Sequence, residues 1–408
     1  MNDSYDAIVL GLGAMGSSPA YQLARRGLRV LGLDRYPPGH THGSSHGDSR
    51  IIRELYYEGS LYVPLLQRAY ELWDELERAS GSSLLRITGG IMLGVPNGHV
   101  VNGSRHTAKQ LGLAYEDLSA AEIHRRFPAL HPPDHFEGIW DARAGYLRPE
   151  AAIAAYLALA AQHGARFDIG EAALNWRAEG DGVTVTTATR RYRADRLVLA
   201  VGSWITRQVP ELNLPIVPER QVLAWFDPPT APDDFAVDTC PVFICEHQLG
   251  RSVYGFPRLT TGVKASIFHD GEPIADPDSY RRAVDPAEIR QLQESLGSFI
   301  PALAHAPVRA SMTCLFTNTP DARFIIDRHP AFPQVVISSP CSGHGFKFAS
   351  AVGEANADLV TGATSRTDLS PFAVGRFGAA TVAREGPRAD GLVPQHRDSE
   401  RDSERDSS

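Results

Sequence analysis

The run Gly11-Leu-Gly13-Ala-Met-Gly16 stands between an apolar stretch, Ala7-Ile8-Val9-Leu10, and a helical pattern through Gln22 to Arg26 that Gly27 ends. A first glycine permits a tight turn, a second lets a pyrophosphate approach the backbone, and a third lets helix and strand pack closely. The helix N-terminus, with Met15 in its first turn, then offers unpaired N–H groups and a positive dipole end to an anion. A second apolar run, Val30 to Leu33, closes on Asp34, eighteen residues after Gly16, where a carboxylate accepts from ribose hydroxyls. Together these parts predict a dinucleotide-binding βαβ unit over residues 5–34.

A different kind of chemistry is marked by scarcity. Of 40 basic residues, only Lys109, Lys264 and Lys347 are lysines. The bias most simply reflects GC-rich coding. Lys264 and Lys347 then become candidates for positions where a compact, titratable ammonium is required and a guanidinium will not serve. Lys109, in a polar stretch, reads as a chance survivor.

The dinucleotide turn begins near the first residue, as is usual for FAD proteins. A later segment, Ala194-Asp-Arg-Leu-Val-Leu-Ala-Val-Gly-Ser-Trp204, resembles the strand and small-residue turn of FAD oxidoreductases. Both favour FAD over NAD. Three further groups of residues follow: His46-Gly-Asp-Ser-Arg50-Ile-Ile-Arg53; Tyr254-Gly-Phe-Pro257 with Gly262-Val-Lys264; and Cys314-Leu-Phe-Thr-Asn-Thr-Pro-Asp321, Phe324-Ile-Ile-Asp327-Arg-His-Pro330 and Ser342-Gly-His-Gly-Phe-Lys347. In order and spacing these resemble the monomeric sarcosine oxidase family, which includes N-methyltryptophan and pipecolate oxidases, from about residue 5 to about residue 377.

The resemblance implies roles position by position. Cys314 matches the cysteine that carries FAD through a thioether. Arg53 and Lys347 match the pair that holds the substrate carboxylate, and Lys264 the lysine that promotes reaction with oxygen. Arg50, His46 and Tyr254 match flavin-side or substrate-side positions, and Gly343, Gly345 and Lys347 fall beside the cofactor. The chemistry suits these residue types. A guanidinium fork and an ammonium fix a carboxylate by charge-assisted hydrogen bonds, a fixed positive charge favours reduction of O2, and nearby positive charge favours the thiolate of Cys314. For His46 and His344 a structural role weighs as much as a catalytic one. No base is required where the pocket lowers the pKa of the substrate amine.

Two departures from the family pattern bear on the substrate. Phe268 stands where a histidine is usual, with His269 one further on, and Phe316 stands where a tyrosine is usual. Fewer polar groups in the pocket imply a substrate bulkier and more apolar than sarcosine.

Net charge of −8 argues against a nucleic-acid partner, and the apolar run Ala151 to Ala161 is far short of a membrane span. The first residues lack the pattern of a signal peptide, so a cytoplasmic, reducing location is expected. Cys240 and Cys245 have no second ligand pair, so no metal site is expected. Helical spacing covers Tyr62 to Arg78, Pro149 to Gln162 and a stretch near Pro286 to Leu296; strands are read at Val183 to Thr187 and Arg196 to Val201.

The expected fold is α/β with two domains. A doubly wound, Rossmann-type FAD domain takes residues 1–85, 146–215 and 310–385. A substrate domain with a large mixed β-sheet takes 86–145 and 216–309, and 386–408, with its Arg-Asp-Ser-Glu repeat, is a flexible polar tail. The expected activity is FAD-dependent oxidation of secondary amino acids by a monomer that meets only a small-molecule amino acid and O2. The alternatives are a dehydrogenase using another electron acceptor and a non-catalytic, flavin-bound interaction protein.

Overall fold

Parallel strands covered on both faces read as unbroken apolar runs, and Ala7–Leu10 is buried throughout. In the computed structural model, which describes residues 4–378, this run belongs to the strand Ser4–Leu10 at the centre of an eight-stranded sheet. Its neighbours Val30–Asp34 and Arg191–Leu199 run parallel to it, with Arg166–Ile169 and Val335–Ser339 parallel beyond them. The helix Ala14–Ala24 lies against this sheet and against two others, Pro149–Gln162 and Ala349–Thr361. It shows little amphipathy because nearly every residue is buried. Small residues permit that crowding: a Cβ on Gly353 would lie 1.9 Å from Ser18 Oγ.

The helix Val63–Ser80 buries Leu65, Leu66, Ala69, Leu72, Trp73 and Leu76, the stripe its spacing predicts, and Gly81 at φ 66° ends it. Pro149–Gln162 has the predicted bounds. The strand predicted from Arg196 begins instead at Arg191. Residues 191–194 pair antiparallel with Val183–Thr186, exposing arginines on alternate positions, so this segment carries no apolar run.

A second, nine-stranded sheet is mixed: Gly90–Gly94 runs parallel to Val242–Gln248, and the other pairs are antiparallel. The strand Val217–Phe226 pairs with Val308–Asn318 along its length and with Gly262–Phe268 at its end, setting Gln221 opposite Cys314 and Trp225 opposite Lys264. A three-stranded sheet of Arg50–Ile52, Gly145–Leu147 and Leu85–Ile87 supports the segment before Arg53. The two large sheets meet where Ser203 and Thr317 share a hydroxyl hydrogen bond of 2.7 Å. No helix among the described residues is long and apolar enough to cross a membrane. The tail read at 386–408 lies outside the described residues.

Trp73 ties the helical layer to the site residues. It is fully buried, and its indole N–H donates to the Lys347 carbonyl at 2.8 Å. Trp73→Ala should lower unfolding free energy by about 3–5 kcal/mol, read as a reduced urea midpoint at unchanged m-value.

Candidate active site

Gly11 adopts φ 85°, and a Cβ there would lie 2.5 Å from the Ala200 carbonyl oxygen. On Gly16 a Cβ would lie 1.7 Å from the Gly11 carbonyl oxygen. Both glycines are therefore demanded by close packing. Gly11 opens one side of a cavity of about 610 Å³, lined by Gly11, Gly13, Met15, Asp34, Arg50, Phe316, Gly343 and Gly345 among others. Asp34 Oδ2 accepts from the Leu12 amide at 2.6 Å and Oδ1 from Tyr36 at 2.9 Å, and each oxygen keeps a lone pair for a further donor. A long, glycine-lined cavity running from a helix N-terminus to a strand-end carboxylate fits a dinucleotide.

Gly16, His46, Arg53, Tyr254, Lys264, Phe268, Cys314 and Lys347 do not line that cavity. Three of them, His46, Lys264 and Cys314, gather with Arg50 behind its wall around the loop 44–50. Arg50 donates to the carbonyls of Ser49 and Ser44 at 2.8 and 2.7 Å, and its Nη2 lies 3.7 Å from Cys314 Sγ. Cys314 is buried, its sulfur 3.8 Å from the Ser44 carbonyl oxygen. His46 Nε2 meets the Thr313 carbonyl at 3.0 Å, an acceptor only, so Nε2 carries the hydrogen. Its Nδ1 is buried with no partner among the described residues, and burial, reinforced by Arg50, pushes its pKa down to about 4.

Lys264 is 1% exposed. Its ammonium donates to the carbonyls of Gly47 and Ser49 at 2.6 and 2.7 Å and lies 4.8 Å from the Phe256 ring centre. Burial, then Arg50, holds its pKa well below the ordinary lysine value. Tyr254 stands between Phe256 and Phe268, at 6.1 and 6.2 Å between ring centres.

Arg53 and Lys347, 294 positions apart in the chain, converge on Tyr56: the guanidinium carbon is 4.3 Å and the ammonium 5.2 Å from its ring centre. Arg53 also lies 4.1 Å from the Tyr57 ring. Sequence reasoning missed its ionic partner. Arg53 Nη2 donates to both carboxylate oxygens of Glu58, at 2.7 and 2.6 Å. Burial alone would raise the pKa of Glu58, but Arg53, with His344 and Lys347, holds it at about 2. Glu58 follows Arg53 by five residues in an irregular segment, and no periodicity announces the pairing. The buried Nε–H of Arg53 has no acceptor among the described residues.

Lys347 donates to the His344 carbonyl at 2.7 Å and to Tyr56 Oη at 3.4 Å. His344 bonds the Ala322 carbonyl through Nε2 and the Tyr56 hydroxyl through Nδ1, at 3.0 and 2.7 Å. Burial leaves it neutral, with a pKa of about 3. Burial and then the charge of Arg53 bring Lys347 down to about 7. The aromatic side of this cluster holds Phe268 and Phe316, their centres 5.9 Å apart, above Gly343, where a Cβ would lie 2.8 Å from the Phe316 ring. His269 follows at φ 55°, 4.1 Å from Phe268. His269 is exposed at its surface, yet the protein packed around its ring pushes its pKa down to about 4.

A doubly wound sheet, a dinucleotide-sized cavity and a buried cationic cluster beside it define an FAD-dependent oxidoreductase. The DAO family model, FAD-dependent oxidoreductases, matches residues 6–359, and the chain belongs to that family. It is 41% identical over 384 residues to monomeric sarcosine oxidase of Streptomyces avermitilis, covering 93% of this chain and all of that protein. It is 36% identical over 377 residues to N-methyl-L-tryptophan oxidase of Citrobacter koseri, covering 91% and 99% of the two. Among solved structures, NikD, an amino acid oxidase essential for nikkomycin biosynthesis, superposes with a TM-score of 0.80 at 25% identity over 91% of this chain and 98% of that one.

Two outcomes follow from the cluster. Glu58→Gln strands a buried guanidinium, which should lower unfolding free energy by about 3–5 kcal/mol. Propionate should recover part of that loss in a thermal melt, because an anion that binds only the folded state stabilises it. In the unaltered protein Lys347 is protonated below about pH 7 and neutral above it. Propionate affinity, followed by calorimetry, should therefore fall as pH rises from 6 to 8.

Proposed function

We propose that this protein oxidises secondary, N-substituted amino acids at the carbon next to nitrogen. Water then hydrolyses the resulting imine to a carbonyl compound and an amine, and O2 takes up the electron pair and two protons as hydrogen peroxide. The observation that carries the reading is the buried cationic pair, Arg53 and Lys347, converging on Tyr56 with an Arg53 Nε–H that lacks an acceptor among the described residues. A substrate carboxylate supplies that acceptor, and its charge favours the protonated form of Lys347.

Bound FAD supplies the two-electron acceptor. Gly11, Gly13, Met15, Asp34, Arg50, Gly343 and Gly345, which line the cavity, would hold it. Cys314, its sulfur 3.7 Å from Arg50 Nη2, would be the residue that tethers it. Arg53 and Lys347 grip the carboxylate and thereby fix which C–H bond is presented. Tyr254, Phe268 and Phe316 form an apolar wall for the N-substituent, which favours a substrate larger than sarcosine. Lys264, which the carbonyls of Gly47 and Ser49 help keep protonated against the burial that lowers its pKa, supplies positive charge for oxygen reduction. His46 serves as a neutral acceptor behind the wall. Within the described residues we assign the cofactor domain to 4–85, 146–215 and 319–378, and the substrate domain to 86–145 and 216–318, because Val308–Asn318, expected in the cofactor domain, pairs along its length with Val217–Phe226.

Anaerobic addition of N-substituted glycines should bleach the flavin, and readmission of air should yield peroxide. Bleaching without peroxide would instead mark a dehydrogenase. Across the series kcat/KM should rise from N-methyl to bulkier apolar substituents; a maximum at N-methyl would refute the substrate reading. Acid precipitation should leave the pellet yellow in the unaltered protein and colourless in Cys314→Ala.

A further inference from the structure

Lys264 does not find its place unaided. Its two carbonyl acceptors belong to Gly47 and Ser49, either side of Asp48, in a turn closed by the Ser49 amide donating to the Gly47 carbonyl at 2.8 Å. Gly47 has φ 96° and Asp48 φ 66°. A three-residue turn of this hand is rare and strained for a non-glycine centre, and such a conformation persists only where its surroundings over-determine it. The surroundings that hold it are specific. On the carbonyl side stands the Lys264 ammonium. On the amide side stands Glu150, whose Oε1 accepts from the Gly47 amide at 2.6 Å and the Asp48 amide at 3.3 Å. Among the described residues, the Glu150 carboxylate accepts only from this turn.

We propose that Glu150 is a positioning residue: its carboxylate clamps the turn Gly47–Ser49 so that two carbonyls converge on the Lys264 ammonium and hold it at one point. The proposal rests on the reading of Lys264 as the oxygen-side cation and extends it to the group that places that cation. Glu150 lies in the first turn of the helix Pro149–Gln162, which packs on the helix Ala14–Ala24 that the dinucleotide turn opens. The lysine and the cofactor cradle are thus referred to one helical layer. The opposite wall is equally fixed: a Cβ on Gly47 would lie 2.9 Å from Leu223 Cδ1 and 3.7 Å from Lys264 Nζ. The turn fits between Glu150 and the strand that carries Leu223 and Trp225. An acid in the first turn of a helix also stabilises that helix through its dipole. That role alone would change stability without moving the lysine.

The scarcity of lysine makes the test direct. Protein labelled with [ε-13C]lysine shows three side-chain resonances, one each for Lys109, Lys264 and Lys347. In Glu150→Ala the Lys264 resonance should shift while those of Lys109 and Lys347 stay in place. Glu150→Gln keeps an acceptor oxygen for the two amides and should return the Lys264 resonance toward its original position. In rapid mixing, Glu150→Ala should slow the reaction of the reduced protein with O2 by roughly tenfold or more, with anaerobic reduction by substrate unchanged, and Glu150→Gln should recover most of the rate. Should Glu150→Ala fail to fold, Gly47→Ala disturbs the same turn from the opposite side and must displace the Lys264 resonance likewise. A Lys264 resonance that stays put in Glu150→Ala, or a Gln variant indistinguishable from Ala, overturns the proposal. If the unaltered protein yields no peroxide, it is the oxidase reading that fails, and the resonances alone decide the role of Glu150.

Discussion

Three positive charges buried within one molecule set the terms for everything around them. Removing an ammonium or guanidinium from water costs several kcal/mol unless partners replace the lost hydration. Arg53, Lys264 and Lys347 are each at most 5% exposed, and each is answered differently. Arg53 has a full carboxylate, Glu58, and two tyrosine faces. Lys264 has two carbonyl oxygens and an aromatic face. Lys347 has one carbonyl and a distant hydroxyl. The poorer the answer, the more the site gains from an incoming anion, and Lys347, its pKa brought down to about 7, is poised to take up its proton when one arrives.

The architecture follows from that need. Lys264 and Cys314 come from two strands of the second sheet that both pair with Val217–Phe226. Arg50 comes from the small sheet, and Lys347 from the turn leading into the helix Ala349–Thr361. No single element could gather these groups, because a strand offers neighbours on one face only at every second residue. Where the sheets meet, Phe316 and Gly343 serve both the cavity and the cationic cluster, so the substrate side and the cofactor side share one wall.

Much of this was legible because it is local. The turn Gly11–Gly16 announces itself by spacing, and Gly16 is where the packing leaves no room for a Cβ. The helix Val63–Ser80 follows its apolar stripe. Family membership was legible from motifs spread along the chain, with Arg53 and Lys347 among them, although nothing local in the sequence joins those two. Glu58 escaped notice for a physical reason. Its meaning depends on an irregular segment folding back beneath Arg53, and no period of 2 or 3.6 residues marks such a fold. Glu150 was hidden by an ordinary explanation, an acid in the first turn of a helix. The early start of Arg191–Leu199 was hidden by arginines that alternate along an exposed face.

The disposition of the lysines bears on how the protein can be handled. Lys264 and Lys347 are enclosed, while Lys109 is exposed near the end of the helix His99–Leu111, just before Gly112. Acylating reagents and aldehyde-bearing supports attack unprotonated, accessible amines. Among the described side chains they find a single foothold, remote in sequence from every residue assigned to the site. Once the α-amino group is blocked, the folded molecule therefore offers these reagents one exposed lysine and lends itself to tethering through it in one orientation.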